Sequence, residues 1–159
     1  CEAAFELLKD AVPGATCLGD ISAEQFAANA HLIENETVRK RAQHVIEEDD
    51  RVLRSVEALK AGDLITFGAL MTQSHNSLRD LYEVTGVELD TLVEEALKID
   101  GTIGSRMTGA GFGGCSVSMV REDAVERFIE TVGKEYEKKI GYAASFYVSD
   151  IGDGGMELK

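Results

Sequence analysis

The chain has 159 residues, 44% hydrophobic and 28% charged, enough apolar content for a globular core and too much for wholesale disorder. Its formal charge is −13, from 29 acidic against 16 basic residues; such a surface repels phosphate backbones and anionic lipid, so neither a nucleic acid nor a membrane partner is expected. No apolar run approaches the ~18 residues of a membrane span, and Cys1, Cys17 and Cys115 form neither a disulfide framework nor, with the histidines, zinc-ligand spacing; a reducing cytoplasm is the simplest compartment.

Phe5, Leu7 and Leu8 predict a short helix ending before the turn Val12-Pro13-Gly14. Ser22 with Gln25 is a capping box opening a helix through Phe26 and Ala30. From Thr37 to Ala61, Val38, Ala42, Val45, Val52, Val56 and Leu59 recur at helical spacing, and Ile46 and Leu53 widen the stripe. A long helix stopped near Gly62 follows. The run Glu47-Glu48-Asp49-Asp50 is assigned to its solvent side, where neighbouring carboxylates diverge too far to converge on a metal. Asp63 can cap a further helix with Leu64, Phe67, Leu70, Met71 and Leu78 on one face. Thr85 with Glu88 predicts a capping box before Leu89, Leu92, Val93 and Leu97.

After Gly101 the texture changes. Residues 115–120 alternate like a strand, Ala124 to Tyr136 return to helical spacing, and 145–148 predict a last strand broken by Gly152, Gly154 and Gly155. No repeat or linker divides the chain. The expectation is one domain over 1–159, α+β and helix-rich, with a small antiparallel sheet in the last third.

Residues 104–115 read GSRMTGAGFGGC. Gly109, Gly111 and Gly114 spell G-x-G-x-x-G, but that dinucleotide fingerprint requires a helix after the loop, and here a strand follows. A plain hairpin needs one or two glycines, not four within 109–114. So many imply close backbone approach, and bare amide N–H groups suit anionic oxygens. Composition alone leaves packing and ligand approach equally open.

SRMTGAGFGGC resembles the third conserved motif of the GHMP kinases, and its flanking Arg-Met-Thr and Gly-Gly-Cys resemble the galactokinase branch. QSHNSLRDLYEVTGVELDTLVEEAL, residues 73–97, and FYVSDIGDGG, residues 146–155, are similar to galactokinase segments in the same order. The resemblance implies a GHMP-kinase C-terminal domain. In the full-length enzyme, the γ-phosphoryl of ATP passes, with Mg²⁺, to the anomeric hydroxyl of galactose. It also implies what is absent: the sugar-recognition motif, the serine-rich phosphate loop and the catalytic Asp of an N-terminal domain, which becomes this chain's natural partner. The missing initiator Met fits a fragment, expected to be inactive alone. Carried over residue by residue, only Gly109, Ala110, Gly111, Phe112, Gly113 and Gly114 are candidate nucleotide-binding positions; no catalytic and no metal-binding residue is expected here. Such a fragment would expose an apolar or glycine-rich face, and an open sheet edge where the family's upstream strand is missing.

Several other residues have two readings. Arg106 could face phosphate or pair with an acid, the commoner fate. Ser105 and Thr108 could meet a ligand or bond local backbone. Cys115 is expected to be a buried small hydrophobe. Ser74, His75 and Asp80 imitate a hydrolase triad in sequence, but positions 74 and 75 diverge on a helix. Two alternatives accompany the kinase reading: a galactokinase-like sugar sensor without catalysis, and a helical interaction module dimerising through the Val38–Leu59 stripe.

Overall fold

The computed structural model describes residues 1–150 and 152. Helix α1 spans Glu2–Leu8, α2 Ala23–Asn29, α3 Glu36–Lys60, α4 Leu64–Ser77, α5 Val87–Leu97 and α6 Val125–Ile140; strands β1 (Thr102–Thr108) and β2 (Cys115–Val120) pair antiparallel. Helix starts follow local chemistry. Ser22 and Gln25 form the expected reciprocal capping box, while Asn35 and Asp63 side chains accept the Val38 and Thr66 amides, satisfying N–H groups that the helix cannot.

Apolar burial falls in two clusters. One gathers Ala4 and Leu8 of α1, Phe26 of α2, and Ala42 and Ile46 of α3. The other joins Ala96 of α5 to Phe128 and Val132 of α6. The α3 stripe expected from sequence is therefore half realised. The N-terminal cluster ends at Ile46, whereas Val52, Leu53, Val56 and Leu59 remain exposed. Helical spacing marks a face; it does not reveal whether anything covers it.

Between the clusters, α4 packs on β1 at backbone contact. A β-carbon on Gly68 would stand 2.0 Å from the Ile103 carbonyl oxygen, and one on Gly104 2.4 Å from the Gly68 carbonyl oxygen. Neither glycine has a positive φ, so proximity alone requires them. This contact fixes where β1 runs, and hence where the loop that follows it emerges.

The strand expected over 145–148 does not form among the described residues. Residues 143–150 carry no ladder, although Phe146 meets Phe128 edge-on at 6.4 Å. An open cavity of about 1230 Å³ is lined by both β2 and this segment. Gly154 and Gly155, expected to end that strand, lie outside the described residues.

Candidate functional site

The turn between β1 and β2 contains the six candidate positions. Gly109, Gly111, Phe112 and Gly113 have φ of +76°, +83°, +56° and +81°. On one side the loop is docked: the Phe112 amide donates to Val84 O at 2.7 Å, and the Gly113 amide to Thr85 O at 3.2 Å. Gly111 lies so close that a β-carbon there would stand 2.1 Å from Val84 O. On the other side it is open. A β-carbon on Gly109 would meet nothing within 4 Å, and Phe112 is 77% exposed.

Packing thus accounts for only part of the loop. The Phe112, Gly113 and Gly114 amides are engaged by protein carbonyls, the last by Gly111 O. The Gly109, Ala110 and Gly111 amides make no such turn or loop bond among the described residues. The first half of the loop can therefore offer N–H groups to an anionic oxygen, while the second half is anchored.

The shelf beneath the loop was not legible in sequence. Helix α4 runs into a π-helical turn over Leu78–Tyr82, and Glu83 adopts a left-handed φ of +60°. Arg41 braces this turn by donating to Leu81 O and to the Glu83 carboxylate, with its guanidinium 5.7 Å from the Tyr82 ring centroid. Gly86, at φ +87°, then caps α5 without a side-chain bond. The Thr85–Glu88 capping box is therefore not formed. Thr85 is buried one residue earlier, and its carbonyl holds the loop.

A polar cluster lies on the α3–α4–β1 side. Ser74 Oγ donates to Glu48 Oε1 at 2.5 Å, Arg51 Nε to Glu48 Oε2 at 2.8 Å and Arg106 Nη1 to Ser74 Oγ at 3.3 Å, with Arg106 also 3.7 Å from Glu48. Burial works against the Glu48 carboxylate, but bonds from Ser74 and Arg51 outweigh it and hold its pKa below the ordinary value. Arg106 is thus paired with an acid. Glu48 is not on the solvated side as expected; Asp49 and Asp50 are.

His75 is buried beside this cluster but points elsewhere, to Asp90 and the Met107 amide. Asp80 pairs with Arg79, so no triad forms. Cys115 is exposed, against expectation, because β2 begins at the solvent end of the ladder opposite exposed Thr108. Among the described residues, no three His, Cys, Asp or Glu side chains gather into a metal-binding group, and no helix is long and apolar enough to cross a membrane.

Residues 55–138 match the family model described as GHMP kinases C terminal. The chain is 52% identical over its full length to a galactokinase of Halalkalibacterium halodurans, covering 40% of that protein. It is 50% identical to one of Fusobacterium nucleatum, covering 41%. A crystal structure of Lactococcus lactis galactokinase complexed with galactose superposes with a TM-score of 0.92 at 47% identity, over 99% of this chain and 40% of that one. The chain therefore spans about two fifths of the length of these relatives.

Proposed function

Because the chain belongs to the GHMP kinase family, we propose that it forms the C-terminal domain of a galactokinase. The full-length polypeptide would transfer the γ-phosphoryl group of ATP to the anomeric hydroxyl of galactose, in the cytoplasm. The observation that supports this most is the two-sided glycine loop. Its second half is fastened to Val84 and Thr85, the Gly109–Gly111 amides make no backbone bond among the described residues, and the space beside Gly109 is open.

In this reading Gly109, Ala110, Gly111, Phe112, Gly113 and Gly114 form one wall of the phosphoryl-transfer site. The free amides of Gly109–Gly111 suit phosphate oxygens, and the missing β-carbon at Gly109 leaves room for them. Mg²⁺, when bound, screens phosphate charge, and this reading assigns its ligands to the rest of the polypeptide. The catalytic carboxylate and the residues reading the sugar are assigned there too. Transfer of this kind depends on positioning and charge stabilisation, and a rigid wall contributes to the first.

The same reading accounts for the cavity beside β2. Among the described residues its outer edge has no strand partner, and segment 143–150 lines the far side of the gap. We read this gap as the seat of a strand from the remaining polypeptide, with exposed Val52, Val56 and Leu59 covered in the same assembly. The test is ATP-dependent formation of galactose 1-phosphate by the full-length protein. Turnover is expected there and none from residues 1–159 alone. Full-strength ATP binding by the isolated chain would contradict this division of labour.

A further inference from the structure

His75 is 1% exposed, and both ring nitrogens face defined groups on other elements. Nδ1 lies 3.2 Å from the backbone nitrogen of Met107 on β1, whose N–H donates to it. A ring nitrogen that accepts carries no proton, so the neutral ring bears its hydrogen on Nε2. Nε2 is 3.2 Å from Asp90 Oδ1 on α5, a close charge contact that is not aligned as a hydrogen bond, and both atoms are buried with no hydrogen-bond partner among the described residues. One side chain of α4 therefore touches β1 and α5 at opposite ends of its ring.

Both supports of the glycine loop meet at this residue. Met107 stands two positions before Gly109, and its Cε lies 3.3 Å from where a β-carbon of Gly111 would be. The other support, Val84 and Thr85, leads directly into α5, whose first turn carries Asp90. A buried leucine would fill the same volume and hold neither end.

We propose that His75 is a positioning residue for the glycine loop, a neutral imidazole protonated on Nε2 alone that clamps Met107 of β1 to Asp90 of α5. An imidazolium would aim a second N–H at the Met107 N–H and release β1. The charged groups facing the ring are Asp90 from α5, and Arg79 and Asp80 from the turn after α4; β1 presents only the Met107 amide. The effect of the clamp on turnover rests on the kinase reading above, whereas its effect on the loop does not.

The test uses the full-length protein with His75→Leu, which keeps bulk but loses both contacts, and His75→Gln, whose amide can accept from Met107 and donate to Asp90. In His75→Leu, amide exchange over residues 109–114 should rise roughly tenfold more than in α3, and kcat should fall roughly tenfold with the KM for galactose within about twofold. His75→Gln should recover most of both. A uniform rise in exchange that follows global stability, with kcat unchanged, would make His75 merely structural and overturn the proposal. Nitrogen-15 spectra of the wild-type histidines provide a measurement that no misfolded variant can compromise. A neutral His75 with its proton on Nε2 supports the clamp, and a proton on Nδ1 near neutral pH overturns it. If the wild type fails to phosphorylate galactose, the kinase reading falls, while exchange and spectra still decide the clamp.

Discussion

Replacing Gly111 with alanine separates docking of the loop from mere flexibility. The new β-carbon would stand 2.1 Å from Val84 O and 3.0 Å from Val84 C, both backbone atoms that cannot rotate away. The loop must therefore lift from its shelf, weakening the Phe112–Val84 and Gly113–Thr85 bonds. The left-handed φ of +83° costs an alanine about 1–2 kcal/mol, and each lost hydrogen bond about 0.5–1.5 kcal/mol. The sum is a destabilisation of roughly 2–5 kcal/mol. Gly109→Ala is the control, since it shares a positive φ of +76° but meets nothing within 4 Å, leaving only the conformational part of about 1–2 kcal/mol. Urea unfolding measures both, and amide exchange at Phe112 and Gly113 locates the change. Equal destabilisation by the two variants, with the Phe112 amide still protected in Gly111→Ala, would refute the docking argument.

Gly68→Ala drives a β-carbon to within 2.0 Å of the Ile103 carbonyl oxygen; about 3 kcal/mol or more should be lost in denaturant melts, despite alanine's better helix propensity. Glu48→Gln removes the charge that Arg51, Ser74 and Arg106 share. A loss of about 2 kcal/mol is expected, measured by the same melts, and Ser74→Ala combined with it should be less than additive. His44 and His75 both have pKa values lowered, first of all by burial. The unfolded chain then binds protons more readily than the native one. Their stabilisation is complete above about pH 6.5 and is lost as pH falls towards the folded values, by up to about 1.4 kcal/mol per pH unit for each. Stability profiles should therefore decline below that pH, and a His44→Gln/His75→Gln double variant should be flatter across it.

Local signals in the sequence were strong where short-range chemistry governs. Ser22–Gln25, Asn35 and Asp63 are capping positions whose partners lie within three residues. The helix that Asn35 caps, expected from Thr37 to Ala61, spans Glu36–Lys60. The resemblance in GSRMTGAGFGGC pointed to the right family. What stayed illegible was long-range. Thr85 looked like a cap because Glu88 follows three residues later, yet its carbonyl answers to Gly113, 28 positions on. Glu48 sat in an acidic run and looked solvated until α4 brought Ser74 against it. Gly68 did carry a signal, because a glycine inside a helix costs about 1 kcal/mol and asks for a packing reason. His75 carried none, since a clamp between three elements has no spacing of its own. The strand expected at 145–148 failed for a related reason: β propensity does not supply the partner that a ladder requires.

The central claim is that the open side of the loop faces the reacting phosphates. Gly109 tests it, because its β-carbon would touch nothing among the described residues, so beyond the conformational cost of its positive φ any obstruction comes from outside them. The measurement is steady-state phosphorylation of galactose by the full-length Gly109→Ala protein, at a temperature where its melt shows it fully folded. A fall in kcat of roughly tenfold or more is predicted, of the size expected when a positioned reactant is displaced. Turnover equal to that of the wild type would contradict the claim.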